Sequence, residues 1–293
     1  MSLLPPSLLQ KLGRTRLNPH RAGPSTGIGE RRSAVLGSGM EFADHRPYQF
    51  GDDLRHLDPH LHARLGQHFV KQYHTSQQLS ITILLDASRS MSFGEPAKFR
   101  FGATIAAALA YAGLAGGDLV LMGAFANGAV HWHPRVQGAS RTPSLVAWLE
   151  RLRPAGTTDL RREIRACLPR IRSNPGLVVL VSDWFYDGVE GALDDLSHAG
   201  QEIVAVHVLS PEEVEPERLG GGELRLIDAE LSHEMETFSD PTVHRRYREV
   251  LEAWTLELRD QLRARHGRYL QVRSDDDVER VLTRDWRLEG LIA

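Results

Sequence analysis

The chain has 293 residues, of which 41% are hydrophobic and 25% are charged, and its formal net charge is -3. This composition is typical of an ordinary globular protein, and the charge excludes a strongly basic protein that coats nucleic acid by charge alone. The single cysteine, Cys167, excludes a disulfide framework and a cysteine-based zinc ribbon.

The first third of the chain, residues 1–78, is rich in Gly, Pro, His and Arg, and its apolar residues show little periodicity. We expect a loop-rich N-terminal segment, packed on the main domain, whose last residues (68–73) alternate as in a strand. The acidic run at residues 51–53 favours a turn over a second cation site. Two prolines near the N-terminus stand where an export signal needs an apolar run, so we expect a cytosolic protein.

From residue 79 to residue 210, short apolar runs alternate with helical patterns. Runs typical of strands buried on both faces lie at 81–85, 119–125, 177–181 and 203–209. Helical spacing indicates helices at 101–115, 143–153, 160–172 and 189–198. The run at 129–133 follows its predecessor after a three-residue link, which predicts an antiparallel hairpin partner. Together these patterns predict a doubly wound α/β domain with a mainly parallel sheet, helices on both faces and one antiparallel edge strand.

Residues 211–293 form a C-terminal extension with two short predicted strands, a long amphipathic helix and a final strand-helix pair. Apolar residues in the helix recur every three or four positions: Val243, Tyr247, Leu251, Trp254, Leu258 and Leu262. We expect this helix to pack on the main sheet; the alternative is a face that fills a groove on a partner. The longest apolar stretch of the chain, residues 103–116, is well short of the roughly 20 residues of a membrane span.

Polar residues follow the predicted strands at the edge where open α/β sheets bind their ligands. The first core strand ends in the D-x-S-x-S motif of residues 86–90, the segment Gly156-Thr157-Thr158-Asp159 precedes a helix, and the strand at 177–181 ends in Ser182-Asp183. These segments offer only oxygen atoms, which suit Mg²⁺ or Mn²⁺ with water completing the coordination. Asp159 is also placed to cap the helix that follows it.

The same residues resemble the metal-ion-dependent adhesion site of von Willebrand factor type A domains. Carried over position by position, the resemblance implies five metal-binding residues: Asp86, Ser88, Ser90, Thr158 and Asp183. Thr158 is preferred to Thr157 because it immediately precedes Asp159. In such a site the ion keeps an open position that attracts a carboxylate from another molecule.

Further motifs over residues 35–210 resemble the signature of the DUF58 family: residues 37–42, 46–48, 51–55, Asp58, Ala63-Arg64, Ser90–Gly94 with Lys98, and Gly117-Asp118. Pro59 departs from the pattern, since members usually have Trp at this position. The resemblance implies a non-catalytic, metal-dependent protein-interaction module. It also implies a MoxR-type AAA+ ATPase as partner, in the chaperone-like maturation or assembly of another protein complex.

Two other functions remain open. A metal-dependent hydrolase could use the same oxygen cluster to activate water, although no general base is evident beside it. Nucleic-acid binding by the first third has some support, since basic residues exceed acidic ones by four over residues 1–80, but few aromatic residues are interleaved. The histidine pairs at 60 and 62 and at 131 and 133 lack further ligands at zinc spacing.

Overall fold

The structure is a computed structural model that describes residues 3–19, 28–37, 41–227 and 234–293. The chain divides into two compact units. The larger unit comprises Met1–Gly23 and Ser80–Ala293, and the smaller unit comprises Pro24–Leu79. Residues at the two chain ends lie together in the larger unit, where Leu17 pairs with Ile292 in an antiparallel bridge.

The elements are numbered in chain order. The strands are β1 (Ile28–Gly37), β2 (Glu41–Pro47), β3 (Phe69–Gln77), β4 (Ser80–Asp86), β5 (Leu119–Ala126), β6 (Ala129–Gln137), β7 (Leu177–Ser182), β8 (Glu202–Leu209), β9 (Gly222–Ile227), β10 (Glu234–Ser239) and β11 (Arg268–Arg273). The α-helices are α1 (Pro6–Leu12), α2 (Pro59–Leu65), α3 (Lys98–Ala115), α4 (Thr142–Arg151), α5 (Leu160–Ile171), α6 (Val189–His198), α7 (Pro211–Val214), α8 (Pro241–Ala264), α9 (Val278–Arg280) and α10 (Trp286–Leu288).

The larger unit is built on a six-stranded sheet in the order β11-β8-β7-β4-β5-β6. Neighbouring strands are parallel except for β6, which pairs antiparallel with β5 at one edge. The predicted doubly wound α/β fold with one antiparallel edge strand is therefore confirmed. The opposite edge strand, β11, comes from the C-terminal extension. The chain places β5 on one side of β4 and β7 on the other, so the sheet has its topological switch point beside β4.

Helices cover both faces of this sheet, which explains the continuous apolar runs of its central strands. Leu84 of β4 lies in a buried cluster with Leu160 of α5 and Leu193 of α6. Its neighbour Leu85 points to the other face, where a Cβ atom at Gly102 of α3 would lie 3.4 Å from its side chain. This alternation follows from the two-residue period of a strand.

The smaller unit contains a three-stranded antiparallel sheet in the order β1-β3-β2, together with α2. Two of these strands, β1 and β2, lie where the sequence suggested loops. The run Gly-Glu-Arg-Arg-Ser in β1 lacks the apolar alternation of a half-buried strand, so the sequence did not indicate a strand there. The acidic residues at 52 and 53 bond like turn residues. Asp52 accepts a hydrogen bond from the Gln49 amide at 2.8 Å, and Asp53 accepts one from the Arg55 amide at 3.0 Å.

The apolar face of the long helix α8 is buried mainly over its C-terminal half, although His244 near its start is buried too. Leu258 and Leu262 belong to the buried core, and Trp254 packs against it. Val243 and Tyr247, on the same predicted apolar face, keep more than a third of their surface exposed. None of the helices in the described ranges combines the length and apolarity needed to cross a membrane.

Candidate metal site

Asp86 lies at the centre of a polar cluster where β4 ends. Its Oδ1 atom accepts a hydrogen bond from the backbone N–H of Ser88 at 2.8 Å and one from the hydroxyl of Thr158 at 3.4 Å. The hydroxyl oxygens of Ser88 and Ser90 are 2.9 Å apart. Four of the five predicted residues, which come from two distant segments of the chain, are therefore joined by direct hydrogen bonds.

Backbone hydrogen bonds hold the two loops together. The Arg89 amide donates to the Gly156 carbonyl at 3.0 Å, and the Ala155 amide donates to the Ala87 carbonyl at 2.8 Å. Gly156 has φ +72°, and a Cβ atom there would lie 2.7 Å from the Cα atom of Asn127. Because only glycine tolerates both the left-handed backbone and this close approach, Gly156 allows Thr158 to reach Asp86.

The other carboxylate oxygen of Asp86 contacts two residues that the sequence did not single out as metal-binding. Its Oδ2 atom accepts a hydrogen bond from the Ser182 hydroxyl at 2.9 Å and another from the phenol of Tyr186. A carboxylate offers about four lone-pair positions, and the four donors occupy them. Asp86 is thus held rigidly, and in this arrangement it fixes the directions of the hydroxyl groups around it.

Tyr186 reaches Asp86 because the chain turns sharply after β7. Trp184 has φ +60°, in the left-handed region that bulky residues rarely adopt. Its side chain is fully buried, its amide donates to the Ser182 hydroxyl at 3.0 Å, and its indole N–H donates to the Val206 carbonyl at 3.1 Å. These contacts hold the unusual backbone conformation in place. Backbone conformations of this kind are often found at functional sites.

Asp183, the fifth predicted residue, is bound to a buried lysine. The Nζ atom of Lys98 lies 2.8 Å from Oδ2 of Asp183 and 2.6 Å from Oε1 of Glu213. The aromatic rings of Phe93 and Phe185 each lie 5.8 Å from this ammonium group, which favours a cation between them. Sequence reasoning noted Lys98 only as part of the family resemblance and missed Glu213, which the first turn of the C-terminal extension supplies.

The buried carboxyl groups of the cluster repel one another, and Lys98 attracts two of them. Burial and the charge of Asp183 raise the pKa of Asp86 to about 6, although four hydrogen bonds favour its ionised form. Burial also raises the pKa of Glu213. The pKa of Lys98 is raised despite its burial, because Asp183 and Glu213 stabilise the ammonium form. When all four groups are ionised, their three carboxylates and one ammonium leave two negative charges in excess.

Hydroxyl chemistry decides whether a hard cation fits this cluster. Thr158 donates its proton to Asp86, so the lone pairs of its oxygen remain available to a ligand. Ser88 and Ser90 share one hydrogen bond, which leaves oxygen lone pairs on this pair of hydroxyls as well. Oxygen atoms of this kind, next to carboxylates and water, suit Mg²⁺ or Mn²⁺. The residues present therefore fit the ion that the sequence predicts.

The sequence also predicts that Asp159 caps the helix that follows it. Asp159 caps α5 by accepting a hydrogen bond from the Arg162 amide at 3.0 Å, so it points away from its neighbour Thr158. Over the residues that the structure describes, no group of three or more His, Cys, Asp or Glu side chains could hold a metal ion. A metal bound near Asp86 would depend on hydroxyl oxygens together with carboxylates.

A family model described as "Protein of unknown function DUF58" matches residues 44–255, which is well over half of the chain. The chain belongs to the DUF58 family. Relatives of the chain include Uncharacterized protein Rv1480 of Mycobacterium tuberculosis (strain ATCC 25618 / H37Rv), which is 28% identical over 256 residues. The alignment covers 85% of this chain and 79% of that relative. Uncharacterized protein Mb1516 of Mycobacterium bovis gives the same values.

Two solved structures show distant similarity to the DUF58 chain. The conserved hypothetical protein BatB from Bacteroides thetaiotaomicron is 14% identical with a TM-score of 0.45, and the match covers 72% of this chain and 98% of that one. An aerotolerance-related membrane protein from Bacteroides fragilis is 16% identical with a TM-score of 0.43 and the same coverage. Similarities of this strength assign no function to the chain.

Proposed function

We propose that this DUF58 protein is a von Willebrand A-like, metal-dependent protein-interaction module that binds Mg²⁺, or Mn²⁺, and presents it to a carboxylate of a partner protein. The observation that supports this most strongly is the buried cluster around Asp86. It combines hydroxyl oxygens that retain lone pairs with three carboxyl groups and a single ammonium group, which leaves an excess of negative charge when all four groups are ionised. A divalent cation would remove that imbalance, which is costly in a buried environment.

The residues have distinct roles in this proposal. The hydroxyls of Ser88, Ser90 and Thr158 bind the ion directly or through water. Asp86 accepts the hydrogen bond of the Thr158 hydroxyl and that of the Ser88 amide, which orients Thr158 and holds the loop of Ser88 and Ser90 in place, and Asp183 contributes negative charge. Bound Mg²⁺ supplies an electrophilic position that a partner carboxylate can occupy.

The partner class comes from the family resemblance, which implies a MoxR-type AAA+ ATPase. The test uses such an ATPase encoded next to this protein, immobilised and exposed to the full chain in Mg²⁺ or in EDTA. We expect binding in Mg²⁺, loss of binding in EDTA, and loss in the variant Ser90→Ala. Ser92, an exposed serine two residues further along, provides the matched control Ser92→Ala, which is expected to bind normally.

The same proteins separate the proposal from the hydrolase alternative. Phosphomonoester and phosphodiester substrates are incubated with the chain and Mn²⁺. We expect no turnover above the buffer rate. Turnover that Ser90→Ala abolishes and Ser92→Ala leaves intact would overturn the proposal of a non-catalytic module and favour the hydrolase.

A further inference from the structure

A largely apolar cavity of about 310 Å³ opens directly beside the candidate metal site. The polar residues of its lining include Ser90, Lys98 and Asp183. The remaining wall includes five large apolar residues that each keep 38–43% of their surface exposed: Phe93, Phe185, Leu219, Val243 and Tyr247. Exposed apolar patches with a polar border mark interaction sites, because leaving such side chains in water is unfavourable.

A second, wider cavity of about 1080 Å³ lies next to the first. The two cavities share Ser90, Phe185 and Tyr247, and the wider one is also lined by Thr158 and Trp254. Two predicted metal-binding hydroxyls, those of Ser90 and Thr158, therefore face a continuous groove rather than a closed pocket. An extended peptide segment, rather than a compact small molecule, matches the shape of such a groove.

We infer that the partner's carboxylate is carried by a peptide segment with a bulky apolar side chain next to the acidic residue, and that this side chain enters the 310 Å³ cavity. This inference rests on the proposed function, because the ion at Ser90 fixes the position of the carboxylate. Ser90 lines the apolar cavity as well, so the two partner groups are neighbours along one segment.

The charge of the apolar cavity disfavours the entry of an acidic side chain of the partner. Glu212 and Glu213 line the apolar cavity, and Glu213 is paired with Lys98. Glu212 would repel an acidic side chain that entered this cavity, whereas an uncharged apolar side chain meets no such repulsion. Because Asp159, Asp187 and Glu213 line the wider cavity as well, it is the cation at Ser90 that would attract the acidic residue of the partner, while the apolar neighbour meets Phe93, Phe185 and Val243.

The test uses capped pentapeptides of Gly in which two neighbouring positions are Glu and Phe, with Phe before Glu in one peptide and after it in the other. Each peptide is titrated into the full chain in Mg²⁺. Matched peptides replace Phe by Ala, or Glu by Gln. We expect the Glu-Phe peptides to bind at least about tenfold more tightly than the Glu-Ala peptides, because a Phe side chain leaves water. We also expect EDTA and the Gln substitution to weaken binding.

Two variants of α8 locate the effect. Val243→Asp places a charge in the apolar cavity and is expected to remove the advantage of Phe over Ala. Leu256→Asp, at another exposed position of the same helix, is expected to leave that advantage unchanged. Both variants are first compared with the parent chain by thermal unfolding, so that a folding defect is recognised.

The outcomes separate the inference from the proposed function. Equal, Mg²⁺-dependent affinity for the Phe and Ala peptides would overturn the inference and leave the proposed function standing. Phe-dependent binding that ignores both EDTA and the Gln substitution would overturn the proposed function and, with it, the link between the cavity and a carboxylate. Loss of the Phe advantage in both α8 variants would also overturn the inference.

Discussion

The ammonium group of Lys98 lies 2.8 Å from a carboxylate oxygen of Asp183, and each side chain is only 1% exposed. This pair joins the first helix after β4 to the end of β7, beside the switch point of the sheet. Because Glu213 also contacts the ammonium, the C-terminal extension is tied to the candidate metal site by a buried charge. The pair therefore contributes to both the fold and the electrostatics of the site.

Removing the lysine charge leaves Asp183 and Glu213 buried without their cation. We expect Lys98→Met to lower the free energy of unfolding by about 3–5 kcal/mol, the range found when one partner of a buried pair is lost. The exposed pair of Lys11 and Glu279 offers a control, and Lys11→Met is expected to cost no more than about 1 kcal/mol. Urea denaturation measures both values. Similar losses in the two variants would contradict the importance given to the buried pair.

Thr158 and Asp159 are adjacent but serve different purposes, so their variants separate the site from the fold. We expect Asp159→Ala to cost about 1 kcal/mol of stability through the lost helix cap and to leave Mg²⁺ binding unchanged. Thr158→Val replaces the hydroxyl group by a methyl group of similar volume. We expect this variant to weaken Mg²⁺ binding at least about tenfold, with a smaller loss of stability. Calorimetric Mg²⁺ titration together with thermal unfolding checks both. The reverse pattern would remove Thr158 from the site.

His207 makes stability depend on pH. Burial lowers the pKa of this side chain to about 4, whereas an unfolded histidine titrates near 6.5. Below pH 6.5 the unfolded chain binds a proton that the folded chain does not. The contribution of neutral His207 to the free energy of unfolding is therefore fully present above pH 6.5 and declines as the pH falls toward 4. We expect the unfolding free energy of the parent chain to fall more steeply than that of His207→Gln, by at most about 1.4 kcal/mol per pH unit near pH 5. Parallel curves for the two proteins would disprove the assignment.

Cys167 is expected to be unreactive in the folded protein. It is fully buried in α5, and burial, together with the charge of Glu163, raises the pKa of its thiol to about 12. Because the thiolate is the reactive form, labelling by iodoacetamide at pH 8 should be slow until urea unfolds the chain. Mass spectrometry measures the extent of labelling, with N-acetylcysteine as the reference thiol. Labelling of the folded chain at the reference rate would show that the core opens readily.

Much of the larger unit could be predicted from the sequence, because its strands are buried on both faces and its helices have clear apolar periods. The cluster of Asp86, Ser88, Ser90 and Thr158 could be predicted for a related reason. Asp86, Ser88 and Ser90 stand at the carboxyl end of β4, where sheets of this kind bind their ligands, and the match to a known motif adds Thr158 from the loop between α4 and α5.

The parts that could not be predicted depend on long-range contacts without a local signal. Tyr186 reaches Asp86 only because Trp184 adopts a left-handed backbone, and nothing in the sequence of that turn indicates this conformation. Glu213 looks like an ordinary capping residue, which it also is, since its carboxylate accepts a hydrogen bond from the Ser210 amide at 2.7 Å. The sixth strand, β11, joins the sheet from far along the chain.

Calorimetric titration of the full chain with Mg²⁺ tests the metal site most directly, using the parent protein, Ser90→Ala and Ser92→Ala. In the described part of the chain the side chain of Ser90 forms one hydrogen bond, to the Ser88 hydroxyl, so the Ser90→Ala variant is expected to fold normally. The metal site predicts saturable Mg²⁺ binding to the parent and to Ser92→Ala, and binding weakened at least about tenfold in Ser90→Ala. Equal binding heats for all three proteins, or none for the parent, would contradict it.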